Sequence, residues 1–431
     1  MNIIFFAIVA IAFATAGWHQ ITFLADGVTT APMEALSTAM VEAAASAVEL
    51  AISLVGVMTL FLGLVKVAEA GGLLSILARF IRPLMVRLFP EVPAEHPAMG
   101  AMILNMSANV LGLGNAATPF GIRAMQELDK LNPQPGTATD PMILFLAINT
   151  SSVTLLPTGV IALRAAAGSA HPAAILPSTL VATICSTTAA ILASKLLKRF
   201  AKPLTAAPAP GNGPAGTLSE IQAEPLPAEA GQAYPFWVSL LALGLVIGFI
   251  PLTIAYGQAI SPWVIPGLMV AFLAFGALRG VRIYEVFVEG AKEGFQVAIK
   301  IIPYLVAILV AVGMFRASGA MEIIVGWIGS WTAKVGLPPE ALTMALLRPL
   351  SGSGAFGYLG AILKDPAIGP DSYIGYLVST LQGSTETTFY VLAVYFGAVQ
   401  VRRLRYGLAA ALLGDLAGVA AAVGICLYLF T

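Results

Sequence analysis

Charged side chains are scarce in this sequence. They make up 10% of its 431 residues, while hydrophobic residues make up 58% and the mean hydropathy is +0.89. A soluble domain carries about 25% charged residues, so a soluble fold would leave too little polar surface to face water. Apolar runs near 20 residues recur along the chain, and a helix needs about that length to cross the hydrocarbon of a bilayer. The composition predicts an all-α integral membrane protein.

Cysteine and histidine are also rare. The two cysteines, Cys185 and Cys426, lie in apolar segments, where they are expected to act as small hydrophobes rather than redox or metal groups. His19, His96 and His171 fall outside the apolar cores and have no ligand spacing, so no metal site or cofactor is predicted. A net charge of zero gives no basic patch for nucleic acid. Because no Ser-His-Asp, Cys-His or paired-carboxylate arrangement occurs, an enzyme is not expected.

The apolar segments predict about nine full spans and two interrupted segments. The spans are placed at 2–17, 45–66, 141–163, 173–196, 234–257, 262–279, 297–315, 374–399 and 407–430. The first lacks the positive start of a signal peptide and is interpreted as a retained helix. Gly, Asn, Ser and Pro interrupt the stretches at 98–118 and 340–362, which favours re-entrant hairpins, because non-helical backbone survives at that depth only when protein or a wet cavity covers it.

The lysines and arginines suggest the orientation of these spans. With a cytoplasmic N-terminus, 17 of the 22 lie inside. The other five lie outside: Arg164, Arg316, Lys334, Arg348 and Lys364. Such a bias sets orientation by the positive-inside rule. The sequence thus predicts a multi-pass protein of the bacterial inner (plasma) membrane, with membrane lipid as a partner; a homo-oligomer is compatible with it.

A segment rich in Pro, Ala, Gly and Glu divides the chain. Residues 201–235 are too polar and too proline-rich to bury apolar area, and they are predicted to be a disordered cytoplasmic linker. The linker separates a first membrane unit at 1–200 from a second at 236–431.

The two units are predicted to be inverted repeats. Residues 149–154 (NTSSVT) align with 382–387 (QGSTET) at an offset of 233 positions, and the charge map runs the two segments in opposite directions. Inverted-topology repeats with a broken helix in each half are how many secondary transporters build a site near the bilayer midplane. The alternative is a duplicated structural membrane protein whose small residues serve close helix contact.

Glu386 is the most distinctive single residue. It lies in mid-span with apolar sequence on both sides, and a carboxylate at that depth is costly unless it is paired or neutralised. It could take up a coupling proton, bind a cation or accept hydrogen bonds from substrate hydroxyls. The alternative is a structural pair with a cation such as Arg348.

Polar residues at the repeat motif and in the hairpins complete the predicted substrate site. Serines and threonines at i, i+3 share a helix face, although such hydroxyls also bond their own helix carbonyls. The predicted site residues are Asn105, Ser107, Asn109, Asn115, Asn149, Thr150, Ser151, Thr154, Arg348, Ser351, Ser353, Gln382, Ser384, Thr385, Glu386 and Thr387.

Longer motifs carry a family resemblance. They are HPAMG at 96–100, NVLGLGNAATP at 109–119 and NTSSVTLLP at 149–157, then FVEGAKEGFQVAIKII at 287–302, FRASGAM at 315–321 and QGSTETTFY at 382–390. The first set resembles spore maturation protein A and the second resembles protein B, as if the two were joined in one polypeptide. That family belongs to the nucleoside-recognition, or gate, group and is similar to concentrative nucleoside transporters.

The resemblance implies an inner-membrane protein with hairpins and broken helices, and makes a nucleoside the first candidate solute by fold-level analogy. Together with the residues above, it leads us to expect a secondary transporter of a small polar solute, coupled through Glu386 to a proton or cation. Two alternatives stay open: a non-transporting factor in envelope or spore maturation, and a membrane receptor that binds a solute without moving it.

Overall fold

The computed structural model describes residues 2–23, 30–111, 114–152, 154–201, 234–320, 323 and 331–431. Over these residues the chain is helical and contains no strand, which confirms the all-α prediction. The first half comprises α1 (Asn2–Ile21), α2 (Pro32–Ala70), α3 (Leu73–Leu88), α4 (Pro97–Val110), α5 (Gly114–Asp129), α6 (Asp140–Ser151), α7 (Thr158–Ala166), a short 3-10 turn (Pro172–Ile175) and α8 (Leu176–Lys198). Most of the predicted linker lies outside the described residues.

The second half repeats much of this order. It comprises α9 (Phe236–Leu278), α10 (Ile283–Ala317), α11 (Pro339–Leu350), α12 (Gly352–Lys364), α13 (Tyr373–Ser384), α14 (Thr388–Ala398) and α15 (Gly407–Phe430). Each half has a long helix (α2 or α10), a helical hairpin (α4–α5 or α11–α12), a broken helix (α6–α7 or α13–α14) and a closing helix (α8 or α15).

Matching helix starts support the repeat. Thr139 caps α6 and Ser372 caps α13 with nearly the same backbone angles, and each side-chain oxygen accepts from the amide three residues on. Such caps satisfy an N–H that has no partner within the helix. The caps are 233 positions apart, the offset of the sequence motifs, and both helices run for 12 residues. The two segments therefore fold alike from start to break.

Equivalent helices of the two halves pack antiparallel. In the α2–α10 pair, a Cβ at Gly313 would lie 3.0 Å from that of Ala43, and one at Gly290 would lie 2.5 Å from that of Lys66. Residue numbers thus rise along one helix as they fall along the other. Glycine is needed at 290 because the backbones approach closely there. Opposite directions for equivalent helices are what an inverted repeat requires.

The closing helices follow the same rule. A Cβ at Gly414 would lie 2.9 Å from that of Ala190, and a Cβ at Gly418 would lie 3.1 Å from that of Ser186. The Ser186 hydroxyl also donates to the Gly414 carbonyl at 2.9 Å. Small residues let α8 and α15 approach closely, which is typical of helix contacts in membranes.

The hydrophobic cores are shared between the halves. Val391, Tyr395 and Phe396 of α14 join a buried cluster whose other members come from α3 to α6 and the loops beside them. A second cluster combines α7 and α8 with α11, α12, α13 and α15. Each unit is thus a continuous stretch of sequence, but both hydrophobic cores contain residues of the two units.

The predicted count of about nine spans is not confirmed. Within the described residues, two helical segments are long and apolar enough to cross a membrane, Pro172–Lys198 and Gly407–Phe430. A third candidate is the pair Thr59–Ala70 and Leu73–Leu88, which is bent by 71°. The full spans predicted at 141–163 and 374–399 are instead broken helices, each interrupted at its polar repeat motif.

One predicted turn is absent. Two spans are predicted at 234–257 and 262–279, with a turn between them, whereas α9 is one helix of 43 residues. Gly257 and Pro262 border the predicted turn and favour a break in the helix, yet the helix continues through both. Since the charge-based orientation depends on the span count, the sidedness of the chain stays a prediction.

Candidate functional site

The breaks of the two repeats meet. α6 ends at Ser151, and Ser152 then adopts a left-handed backbone conformation with φ of 54°, which is uncommon for a residue other than glycine. α13 ends at Ser384, and Thr385 is extended. The amide of Glu386 in the second break donates to the carbonyl of Thr150 in the first at 2.9 Å. A main-chain hydrogen bond therefore joins the two halves at their interruptions.

A cavity of about 170 Å³ lies beside this junction. Leu156, Pro157 and Phe356 form part of its apolar wall. Six of the predicted site residues line it, and they come from both breaks and both hairpins: Asn109, Thr154, Arg348, Gln382, Thr385 and Glu386. Thr158 also lines it and was missed, because the repeat motif ends before that position. The volume of the cavity is below about 300 Å³, the lower end of the range for small-molecule pockets.

Arg348 and Glu386 supply the charge of the cavity. The buried Arg348 donates from Nη1 to the Thr387 hydroxyl at 2.9 Å and from Nη2 to the Thr385 carbonyl. Its Nη2 lies 3.5 Å from Glu386 Oε2, and the Glu386 side chain is 39% exposed. The guanidinium thus holds the second break in place and offsets the Glu386 charge. The structural pairing considered from the sequence is present, yet the carboxylate still faces the cavity.

The predicted asparagines form a buried network behind the cavity. Asn105 donates to the Ala117 carbonyl at 2.8 Å and to the Tyr395 hydroxyl at 3.0 Å. Asn109 and Tyr395 both donate to Asn149 Oδ1, at 2.9 and 3.3 Å. Asn109 is the one of the three asparagines that reaches the cavity. Asn105 and Asn149 instead join α4 and α6 of the first half to α14 of the second.

Several predicted hydroxyls bond to their own helices. Ser107, Thr150 and Ser151 donate to carbonyls three or four residues back at 2.8, 3.0 and 2.9 Å, and Ser384 does so more weakly at 3.5 Å. These four lie away from the cavity, and they follow the self-bonding alternative raised from the sequence.

The other predicted residues that the structure describes lie outside the cavity lining, in different surroundings. Ser351 caps α12 by accepting from the Gly354 amide at 3.0 Å. Ser353 is half-buried outside the cavity lining. Thr387 accepts the hydrogen bond from Arg348. The side chain of Asn115 lies outside the described residues.

Sequence reasoning missed a buried carboxylate, Asp415 in α15. It is 6% exposed, and its Oδ2 accepts from the Thr388 hydroxyl at 2.6 Å. Its Oδ1 has no hydrogen-bond partner among the described residues. An unpaired buried carboxylate oxygen is costly. Asp415, like Glu386, is a carboxylate flanked by apolar sequence, and this pattern is the signal that could have identified it.

A second missed residue is Arg164, which the sequence analysis counted as an external loop charge. It lies at the end of α7 and is fully buried. Its Nη1 donates to the Pro370 carbonyl at 2.7 Å, and its Nη2 donates to Asp371 Oδ1 at 2.9 Å and to the Ser169 hydroxyl at 3.2 Å. Because Pro370 and Asp371 precede α13, this cluster ties the first half to the second.

The environment of Asp371 favours its charged form. Burial alone would raise the pKa of this carboxyl, but hydrogen bonds from the Ser169 hydroxyl and the Ala170 amide, together with the Arg164 charge, outweigh burial. The pKa of Asp371 is therefore lowered from its ordinary value of 3.8. Hydrogen bonds to the ionised form and a nearby opposite charge both act in this direction.

Comparison with known proteins places this architecture in a family. Residues 51–167 match the family model described as Gate, nucleoside recognition. The chain is 45% identical over 166 residues to spore maturation protein B of Bacillus subtilis, which covers 92% of that protein and 38% of this chain. It is 44% identical over 160 residues to spore maturation protein A of the same organism, which covers 82% of that protein and 37% of this chain.

No solved structure matches the chain. The two relatives each account for a part of it, consistent with a fusion, and the apolar helices agree with a membrane location. The chain therefore belongs to the family of the spore maturation proteins A and B, and it is a gate-domain membrane protein that joins a region similar to each in one polypeptide.

Proposed function

We propose that this protein is a secondary transporter of a small polar solute in the bacterial inner membrane, with a cytoplasmic N-terminus and without enzymatic activity. The observation that carries the proposal is the cavity at the junction of the two breaks, which both halves line. Inverted halves that meet at broken helices can rock against each other and expose one site alternately to either side.

The chemistry of the lining indicates the solute. Asn109 and Gln382 offer amides, Thr154 and Thr385 offer hydroxyls, and Arg348 offsets the charge of Glu386. A neutral solute rich in hydroxyl or amide groups fits such a lining better than a strong anion or cation. A nucleoside is the first candidate because the matched family model is described as nucleoside recognition. Since the cavity holds about 170 Å³, binding a nucleoside requires the halves to separate.

Glu386 is the proposed coupling residue. Its carboxylate faces the cavity while its amide is bonded across the junction to Thr150. Uptake of a proton or a cation there would weaken the pairing with Arg348, which also holds Thr385 and Thr387 in place. Binding of the proton or cation at Glu386 would thereby change the conformation of the second break.

A stability screen with a solute library tests this proposal. The purified full chain is heated in detergent with each solute, beside the variants Glu386→Gln and Glu289→Gln. Glu289 is an exposed carboxylate on α10, away from the cavity. We expect at least one polar solute to raise the Tm of the wild type and of Glu289→Gln, but much less that of Glu386→Gln. If no solute separates the two variants, the site assignment is wrong.

Flux of the selected solute into liposomes then separates a transporter from a receptor. A stabilising solute that enters protein-containing liposomes faster than empty ones supports transport. Binding without flux would favour the receptor. The names of the two relatives favour a second candidate, a maturation factor that moves no solute, and for this candidate no solute should raise the Tm.

A further inference from the structure

A second, larger cavity lies at the other end of the first half. It holds about 470 Å³, and Arg87 of α3, Asp140 of α6 and the end of α8 are among the residues that line it. This volume falls within the about 300–1,000 Å³ typical of small-molecule sites. None of the residues that line the junction cavity lines this one. It is a separate site.

The charge of this cavity is positive. Its lining contains four basic side chains, Arg87, Lys195, Lys198 and Arg199, and two acidic ones, Glu91 and Asp140. The acidic side chains are already engaged. Glu91 pairs with Lys198, and Asp140 Oδ1 accepts from Arg405 at 2.6 Å and from the Tyr406 hydroxyl at 2.8 Å.

Three of the four cations that line the cavity have no carboxylate partner among the described residues. Within the described part of the chain, no carboxylate forms an ion pair with Lys195 or Arg199, and both are exposed. The Arg87 guanidinium lies 3.3 Å from the centre of the Phe236 ring, which fixes its position without neutralising its charge. The lining also includes Ser194, which is 3% exposed and whose Oγ has no partner among the described residues. Three cations and one unused hydroxyl thus converge on the cavity.

The apolar flank of α8 indicates the rest of the ligand. Leu192 and Leu196, one turn apart on α8, are 61% and 54% exposed, and Phe200 in the turn that follows the helix is 81% exposed. Lys195 and Arg199 lie three residues after Leu192 and Leu196, on the adjoining face. A ligand with an anionic head and long apolar tails matches both faces at once.

The cavity lies at the end of a candidate membrane span, which is where a lipid headgroup would be found. Pro172–Lys198 is one of the two segments long and apolar enough to cross a bilayer. Its last residues, where the cations lie, therefore reach the headgroup region. Basic pockets between membrane helices at this level bind anionic lipid headgroups, on the side to which the positive-inside rule also assigns this end of α8.

We propose that this cavity is a binding site for an anionic phospholipid of the phosphatidylglycerol or cardiolipin type. The phosphate would lie between Arg87, Lys195 and Arg199 and accept a hydrogen bond from Ser194, while the acyl chains follow Leu192, Leu196 and Phe200. Because the closing helix α8 and residues Arg405 and Tyr406 of the second half meet here, the bound lipid stabilises the contact between the halves. The site does not depend on transport.

Lipid titration of the purified full chain tests the proposal. The protein is placed in phosphatidylcholine nanodiscs, phosphatidylglycerol is added, and the Tm and the apparent Kd for the lipid are measured. We expect phosphatidylglycerol to raise the Tm more than further phosphatidylcholine does. The double variant Lys195→Gln/Arg199→Gln should bind roughly 25-fold more weakly, because each basic contact with an anionic lipid contributes about a factor of five.

Matched variants distinguish a site from bulk attraction. Arg282→Gln/Lys292→Gln removes two exposed charges, one just before α10 and one within it, on the same predicted side, and should change the Kd less than threefold. Lys195→Arg/Arg199→Lys keeps the charge and should retain binding, which shows that the fold tolerates substitution there. The proposal is overturned if phosphatidylcholine stabilises equally, if the α10 variant loses as much affinity, or if inorganic phosphate alone reproduces the shift and displaces the lipid.

Discussion

The two breaks share a backbone design but differ in how they are held. In the first half, the carbonyl of Ser152 accepts from the hydroxyls of Thr183 and Thr187 on α8, which are neutral groups. In the second half, the guanidinium of Arg348 binds both Thr385 and Thr387. Hydrogen bonds to a charged group are roughly twice as strong as those between neutral groups. The two halves thus have similar backbones but different chemistry.

This difference indicates a division of labour. Of the lining residues of the junction cavity, the charged ones, Arg348 and Glu386, both belong to the second half. The first half contributes neutral groups. Its Thr150 and Ser151 hydroxyls bond carbonyls of α6, and Ser151 Oγ also lies 3.1 Å from the Thr187 hydroxyl of α8. We infer that coupling and most of the affinity come from the second half, while the first half supplies shape and the counter-surface against which the second moves.

The Arg164–Asp371 ion pair ties the two halves together, and breaking this tie should have the largest effect on stability. Asp371→Ala leaves a fully buried guanidinium without its carboxylate. The expected cost is about 3 kcal/mol, the low end for a broken buried pair, because backbone carbonyls still accept from Arg164. Denaturation in detergent measures it. The exposed-pair variant Lys130→Ala should lose less than about 1 kcal/mol, and equal losses would contradict the tie.

The same tie has a predicted pH dependence. Because folding lowers the pKa of Asp371, its contribution to stability is present above the ordinary value of 3.8 and is lost as pH falls through the lower, folded value. The Tm difference between wild type and Asp371→Asn should therefore stay constant above about pH 4 and shrink below it. A difference that grows in acid would contradict the assigned role.

Solute affinity sharpens the comparison at the cavity itself. With the solute selected by the screen, Glu386→Gln should weaken binding by roughly 10- to 100-fold, because a charge-assisted hydrogen bond is lost. Asn109→Ala in the first half removes a neutral hydrogen-bonding group and should cost about fivefold. Isothermal titration calorimetry measures both, and a larger loss from Asn109→Ala would reverse the proposed division of labour.

Repeat-related threonines offer a matched pair. Thr387 accepts from the Arg348 guanidinium at 2.9 Å, whereas Thr154, 233 positions earlier, shares a 2.7 Å hydrogen bond with the Ser152 hydroxyl. Thr387→Val should therefore cost about 2 kcal/mol and Thr154→Val less than about 1 kcal/mol. Chemical denaturation of the two variants tests the difference. Equal losses would show that both breaks are held alike.

The smallest effect is expected from Asp415→Asn. Thr388→Val leaves a buried carboxylate without its hydroxyl donor and should cost about 2 kcal/mol, whereas Asp415→Asn keeps an acceptor for the Thr388 hydroxyl and should cost less than about 1 kcal/mol. Thermal unfolding ranks the two variants. A larger loss from Asp415→Asn would show that the negative charge of Asp415 is itself required for stability, and would add a third charged group to Arg348 and Glu386 in the second half.

Much of this arrangement followed from the sequence because it depends on local patterns. The repeat offset of 233 identified the matched polar motifs at which both helices break, although the segments that contain them were predicted to be full spans. The helical hairpins and the prominence of Glu386 followed from glycine content and from the cost of a carboxylate at membrane depth.

The rest depends on tertiary packing, which one sequence does not encode locally. Whether a hydroxyl bonds its own helix, as Ser151 does, or faces a cavity, as Thr154 does, is set by which neighbour lies opposite. Arg164 looked like a loop charge because its partners come from a segment some 200 positions away. The continuous helix α9 was not predicted because Gly257 and Pro262 favour a turn locally, whereas the helix continues through both.

The central claim is that two halves of opposite orientation bring their breaks together, and cysteine accessibility tests it most directly. Ala166→Cys at the end of α7 and Arg402→Cys after α14 are both at exposed positions and are made separately in a Cys185→Ala/Cys426→Ser background. A membrane-impermeant thiol reagent added to intact cells should label Ala166→Cys, whereas Arg402→Cys should react only after the membrane is opened. Labelling of both positions from one side would contradict the inverted arrangement, and with it the proposal of alternating access.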